Sequence, residues 1–242
     1  MLRVYLSDWN GEGELPALDR EERHHLFRVR RVRPGEMVEV LNGRGAVGRA
    51  RIAEKGGDCL DLRDCRQAPQ PDLLVHLAVA VPKGKTFPAL LHRAVELGVA
   101  EVTPLLTEHV EPSPERLAGK TERLEAVLIE AVKQSGNPWK PVLHSPTELA
   151  VFLKRPFTGH RLCAALEDDT RPLGDLLWRD LPRCGAVQVL VGPEGDFSPG
   201  EYRLLRESDC LFASLGPLVL KVETAVTVVL GALRLRSEAA AD

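Results

Sequence analysis

The residues with the clearest capacity for chemistry lie near the carboxyl terminus. Residues 190–205 read LVGPEGDFSPGEYRLL: an apolar stretch, then Gly192, Pro193, Glu194, Gly195 and Asp196, then Ser198-Pro199-Gly200-Glu201. The last four have the form of a capping box, in which the serine caps a helix, the proline takes its first position and Glu201 reaches back to an exposed N–H. The helix start is therefore specified without residues 192–196. Those five form an added loop at the C-terminal end of a strand, where open α/β sheets place their ligands. Glycines there admit close backbone approach, and Glu194 can accept hydrogen bonds from hydroxyl or amine groups. SLGPLVLKVETAVTVVLGAL, residues 214–233, repeats the arrangement: a short strand, a Gly-Pro break at 216–217, a stretch too brief for a helix, then the final helix. Two such loops could line one pocket, with Leu166-Glu167-Asp168 as a third wall.

The elements that must position these loops follow from the apolar pattern. LLVHLAVAV (73–81), AEVTPLL (100–106), HRLCAAL (160–166), AVQVLVG (186–192) and LFASL (211–215) read as strands. Helices are predicted at about Thr86–Leu97, 114–135, from Pro199, and from about Val222 to Arg236. In the second of these Leu117, Leu124, Val127, Leu128, Ala131 and Val132 share a face. Near-continuous apolar strands alternating with helices indicate a buried parallel sheet. Before it, the polar segment QAPQPD (67–72) suits a linker, and VEVLNG, GRARIAE and CLDLRDC read as short strands with Asn42-Gly43 as a hairpin turn. A small β-rich N-terminal barrel or sandwich is expected, followed by a larger α/β domain.

Composition narrows the function. At 242 residues and 44% hydrophobic content the chain can build substantial cores. No apolar run reaches the roughly 20 residues of a membrane span, and MLRVYLSDWN lacks a signal-peptide pattern, so a cytoplasmic protein is expected. Five cysteines without a C-x-x-C pair indicate reduced, mostly packed thiols, and no metal site is expected. The net charge is −3, and residues 1–70 carry 13 Lys and Arg against 12 Asp and Glu. Any polyanion site must therefore be a local patch.

Two motifs are decoys. Gly43 to Gly48 matches G-x-G-x-x-G, but GRARIAE follows as a strand where a dinucleotide site needs a helix. Gly84-Lys85-Thr86 resembles the end of a phosphate loop, yet Val79 stands where its first glycine is required. Thr86 and Pro88 are better read as a helix cap and a first-turn proline.

LVGPEGDFS and SLGPLVLKVETA resemble the closing motifs of SPOUT RNA methyltransferases of the RsmE type, which methylate N3 of a uridine in 16S ribosomal RNA. In order along the chain, HHLFRVRRVRPGEMVEVLNGRG (24–45) is similar to that family's PUA-like domain. VPKGKTFPALLHRAVELGVAEVTPLLTE (81–108) and EAVKQSG (130–136) are similar to the first half of its catalytic domain. The resemblance implies a PUA-like RNA-binding β domain over 1–68 and a SPOUT α/β methyltransferase domain over 72–242. It also implies a trefoil knot, a homodimer with the site at the subunit interface, and S-adenosyl-L-methionine as cofactor. By the same analogy Leu166, Gly192, Gly195, Leu215, Gly216 and Leu220 contact the adenosyl group, with Glu194 and Thr224 nearby.

Uridine N3 is protonated at neutral pH and nucleophilic only as the anion, so a base, or a cation stabilising the developing uridylate, would assist transfer. Lys221 and Glu223 are the candidates. REERHHLFRVRRVR (20–33), with six arginines and two histidines, is the candidate surface for ribosomal RNA. Arg23, His25, Arg28, Arg30 and Arg31 are its expected contacts, extended by Lys83, Lys85 and Arg93. The chain departs from the family pattern at Leu218, Asn137, His109 and Lys221, where arginine is usual. These departures motivate the alternative of an RNA-binding protein that keeps the knotted fold without catalysis; a P-loop-like nucleotide-binding enzyme is the third reading.

Overall fold

The computed structural model describes residues 1–53, 59–82, 86–109 and 119–238. The chain divides into two compact units: residues 1–70 with 129–140, and residues 71–128 with 141–242. A boundary near residues 68–72 leaves all of 129–140 in the larger unit. The helix Thr121–Ser135 instead starts in the larger unit and ends in the smaller.

The smaller unit is a four-stranded mixed sheet in the order β1 (Arg3–Tyr5), β2 (Met37–Leu41), β3 (Ala46–Ile52), β4 (Leu60–Gln67). β1 runs parallel to β2, and the remaining pairs are antiparallel. Asn42 turns the β2–β3 hairpin, its Oδ1 accepting from the N–H groups of Arg44 at 2.8 Å and Ala46 at 3.0 Å. Gly43 and Gly45 take positive φ there, so the glycine motif is a hairpin, and Gly48 pairs with Val40. Val4, Trp9, Leu26, Val38, Val40, Ala50 and Ile52 form the core. The arginine-rich segment becomes the helix Arg20–His24, capped by Asp19 through Glu22 N–H at 2.7 Å and continued by a wider turn over His25–Val29.

The larger unit is a parallel sheet ordered β10 (Arg171–Pro172), β12 (Cys210–Ser214), β9 (His160–Ala164), β11 (Gly185–Val191), β5 (Leu73–Ala80), β6 (Glu101–Leu106), β7 (Val142–Leu143). β8 (Thr147–Glu148) also pairs with β6. Strand residues alternate between faces, and both faces are covered. Ala78, Cys163 and Leu190 meet Phe152, Tyr202 and Leu205 of the helices Leu149–Leu153 and Pro199–Glu207. Leu77, Val79 and Val189 point to the other face and are also fully buried. The final helix, Val222–Glu238, packs against the helices Phe87–Glu96 and Leu173–Arg179.

Some expectations hold in part and others are corrected. Thr86 takes the expected N-cap position of the helix Phe87–Glu96 with Pro88 in the first turn, although its side chain makes no cap bond. Only Cys163 and Cys210 are buried thiols, while Cys59, Cys65 and Cys184 are exposed. Val228 of the final helix is 39% exposed rather than part of its buried surface. Leu117, Lys83 and Lys85 lie outside the described residues.

Candidate functional site

Both Gly-Pro breaks open onto one cavity of about 460 Å³ at the C-terminal ends of β9, β11 and β12. One wall is Gly192, Pro193, Glu194 and Asp196; a second runs from Ser214 to Val222; Leu166 and Thr170 form the third. The size lies within the range of roughly 300–1,000 Å³ usual for small-molecule sites.

The first wall owes its shape to local chemistry. Ser198 and Glu201 form the expected capping box, Ser198 Oγ accepting from Glu201 N–H at 3.3 Å and Glu201 Oε2 from Ser198 N–H at 2.9 Å. That fixes the helix start and leaves residues 192–197 to arch over the strand end. Asp196 closes the arch with a φ of 60°, its N–H bonded to Pro193 O at 2.9 Å. Its carboxylate accepts from Phe197 N–H at 2.8 Å and from the Tyr202 hydroxyl. Burial, reinforced by Asp196, pushes the Tyr202 phenol well above its ordinary range, so it remains a donor. A Cβ on Gly192 would lie 3.1 Å from the Phe197 ring, so any side chain there requires the ring to give by a few tenths of an ångström.

The second wall depends on Gly216, whose φ of 116° suits no other residue type comfortably. Its N–H reaches Ser214 Oγ at 3.4 Å. The backbone then runs through Leu218 and Val219, which are 74% and 79% exposed, to Lys221. Lys221 O accepts from the N–H groups of Thr224 and Ala225, both at 2.9 Å, which starts the final helix.

Of the predicted cofactor residues, Leu166, Gly192, Glu194, Leu215, Gly216 and Leu220 line the cavity. Gly195 and Thr224 are not among its lining residues. Gly195 faces His109 instead, at 3.3 Å from an added Cβ. Of the catalytic candidates Lys221 lines the cavity, whereas Glu223 is absent from the lining; its carbonyl accepts from Thr227 Oγ1 at 2.7 Å. Asp196 was not singled out from sequence, because its role depends on backbone conformation and on Tyr202 six positions away.

The atypical positions separate. Leu218 lies in the cavity wall. His109 Nδ1 is 2.8 Å from Asp196 O, and that contact raises its pKa above the ordinary imidazole value. Asn137 belongs to the smaller unit, where its Oδ1 accepts from Trp139 N–H at 3.0 Å. Arg23, Arg28, Arg30 and Arg31 are exposed in the smaller unit, with His25 partly covered and 3.4 Å from Arg30 Nε. Arg93 is exposed on the helix Phe87–Glu96 of the larger unit.

No helix among the described residues is long and apolar enough to cross a membrane. Residues 69–234 match the RNA methyltransferase domain family, and residues 18–64 match the RNA methyltransferase PUA domain. The chain is 31% identical over 211 residues to the ribosomal RNA small subunit methyltransferase E of Synechocystis sp., covering 86% of this chain and 68% of that protein. Its fold is similar to a Neisseria gonorrhoeae ribosomal RNA small subunit methyltransferase E bound to S-adenosyl methionine, with a TM-score of 0.84, 25% identity and 97% of each chain covered. A Legionella pneumophila protein solved with bound SAM gives a TM-score of 0.85 at 30% identity, again over 97% of each chain.

Proposed function

The chain belongs to the RNA methyltransferase family, and on that premise we propose that it methylates N3 of a uridine in 16S ribosomal RNA, using S-adenosyl-L-methionine. The observation that carries this reading is the convergence of Gly192-Pro193 and Gly216-Pro217 on one cavity. The cavity fits the cofactor chemically. Leu166, Leu215 and Leu220 offer apolar surface to a purine, main-chain groups at Gly192 and Gly216 can be approached closely, and Glu194 and Asp196 suit hydroxyl or ammonium groups. The bound cofactor supplies an electrophilic methyl group on a sulfonium. Gly195 and Thr224 flank the lining in sequence, next to Glu194 and Ala225.

The protein's task is alignment and charge. The walls fix the direction of approach, which is worth a large part of the barrier in an in-line displacement. Lys221, at the cavity, stabilises negative charge as uridine N3 loses its proton. Glu223, in the first turn of the final helix, is assigned to favourable interaction with the helix N-terminus.

We assign RNA positioning to the exposed arginines of residues 20–33 in a PUA-like domain spanning 1–68, with Arg93 contributing from the methyltransferase domain, 72–242. Family membership and the strand order support a knotted C-terminal segment. Leu166, Leu218 and Val219 are exposed apolar residues of the cavity wall, which supports a homodimer whose second subunit covers them. The site of action is then the cytoplasm, where ribosomal RNA is found. Titration of the purified protein with S-adenosyl-L-methionine, followed by methyl transfer to small-subunit RNA, tests the reading. Saturable binding with incorporation supports it; binding without incorporation into any ribosomal RNA would leave an RNA-binding protein.

A further inference from the structure

On β5, on β6 and in the segment just after β7, three side chains converge that the methyltransferase reading does not use. The β5–β6 register sets His76 beside Glu101. The segment after β7 is held to β6 by His144 N–H on Val102 O at 2.8 Å, which brings His144 to the same place. Glu101 Oε2 lies 3.5 Å from His76 Nδ1 and 2.7 Å from His144 Nε2, and one ligand atom from each residue falls within 4.8 Å of the others.

We propose that His76, Glu101 and His144 form a binding site for a divalent transition-metal ion, with zinc as the best match. Two imidazoles and one carboxylate are a common zinc donor set, and imidazole suits borderline metals. Zinc–nitrogen and zinc–oxygen bonds of about 2.0–2.2 Å put tetrahedral ligand atoms about 3.3 Å apart. The His76–Glu101 separation of 3.5 Å already meets this. The Glu101–His144 hydrogen bond must open by about 0.6 Å, which a 44% exposed carboxylate and a 34% exposed imidazole permit.

The surroundings orient the ligands as a metal site requires. His76 Nε2 is 2.8 Å from the buried Thr103 Oγ1. With the proton on Nε2, the hydroxyl accepts it and the Nδ1 lone pair is aimed at Glu101, the usual support for a ligating histidine. Phe152 packs edge-on against the His76 ring at 5.3 Å and holds it upright. Arg155, whose charge reaches His76, is turned to Thr147 Oγ1 at 3.2 Å. Three ligands leave a position for water, and an ion here would cross-link β5, β6 and the segment after β7.

The test is zinc chloride titrated into the tag-free full-length protein in competition with a chromophoric chelator. One equivalent per chain is expected, with melting temperature raised by zinc and restored by chelator. Affinity should fall about 10–100-fold in Glu101→Gln, and again in Thr103→Val, which keeps the shape of the supporting side chain. Cobalt(II) bound to the wild-type protein should show ligand-field absorption without a thiolate charge-transfer band. Absence of saturable binding, affinity unchanged in both variants, or a thiolate band from exposed Cys59, Cys65 or Cys184 would overturn the proposal.

Discussion

Tyr202 places its hydroxyl 2.8 Å from Oδ1 and 2.9 Å from Oδ2 of Asp196, the residue whose left-handed backbone closes the loop after β11. One buried side chain thus holds the arch of the cavity from beneath. Tyr202→Phe removes the hydroxyl and keeps the ring against Phe197. A loss of about 1.5–3 kcal/mol is expected for a hydrogen bond to a charged group, read by chemical denaturation. Affinity for S-adenosyl-L-methionine should fall with it, read by calorimetry.

Gly216→Ala tests backbone conformation separately from space. Nothing lies within 4 Å of the added Cβ, so any effect comes from the φ of 116°. The penalty is about 1–2 kcal/mol. Because the strain relaxes by moving the second wall, cofactor affinity should drop about 5–30-fold while the denaturation midpoint shifts modestly.

Lys221→Met should separate chemistry from binding. Removing the cation at the cavity is expected to lower kcat about 10²–10³-fold and to change cofactor affinity little. Glu223→Gln, outside the lining, should retain most of kcat. The opposite ranking would reassign the charged group that serves uridine N3.

In the smaller unit Lys133 Nζ lies 2.7 Å from Glu22 Oε1, both side chains being largely buried. Burial raises the Glu22 pKa despite Lys133, so the folded state holds that proton more tightly than the unfolded chain. Glu22 therefore contributes stability at low pH that is lost as pH rises through its folded pKa. Lys133→Met strands the carboxylate and should cost about 3–5 kcal/mol at neutral pH, with recovery on acidification. Glu22→Leu combined with Lys133→Met should restore neutral-pH stability. Denaturation curves at pH 4.5 and pH 7 measure both.

The two Gly-Pro loops were readable because each adds residues that neither the strand before it nor the helix after it requires. The capping box at Ser198 and the buried strands were readable for the same local reason. Asp196 was not, since its function rests on a positive φ and a partner on the next helix. Glu223 and Thr224 look like site residues in sequence, yet the helix beginning at Val222 carries them out of the cavity lining. The strands Val142–Leu143, Thr147–Glu148 and Arg171–Pro172 are too short to show a period. Residues 129–140 join the smaller unit through long-range contacts such as Lys133 with Glu22. His76, Glu101 and His144 have no telling spacing, because only strand register brings them together.

The proposed function assigns methylation of ribosomal uridine to one cavity closed by both Gly-Pro loops. Its most direct test is mass spectrometry of nucleosides from the 16S ribosomal RNA of a strain lacking this protein. N3-methyluridine is expected to disappear, to return with the wild-type gene and not to return to full level with Lys221→Met. Undiminished N3-methyluridine in the deletion strain would contradict it.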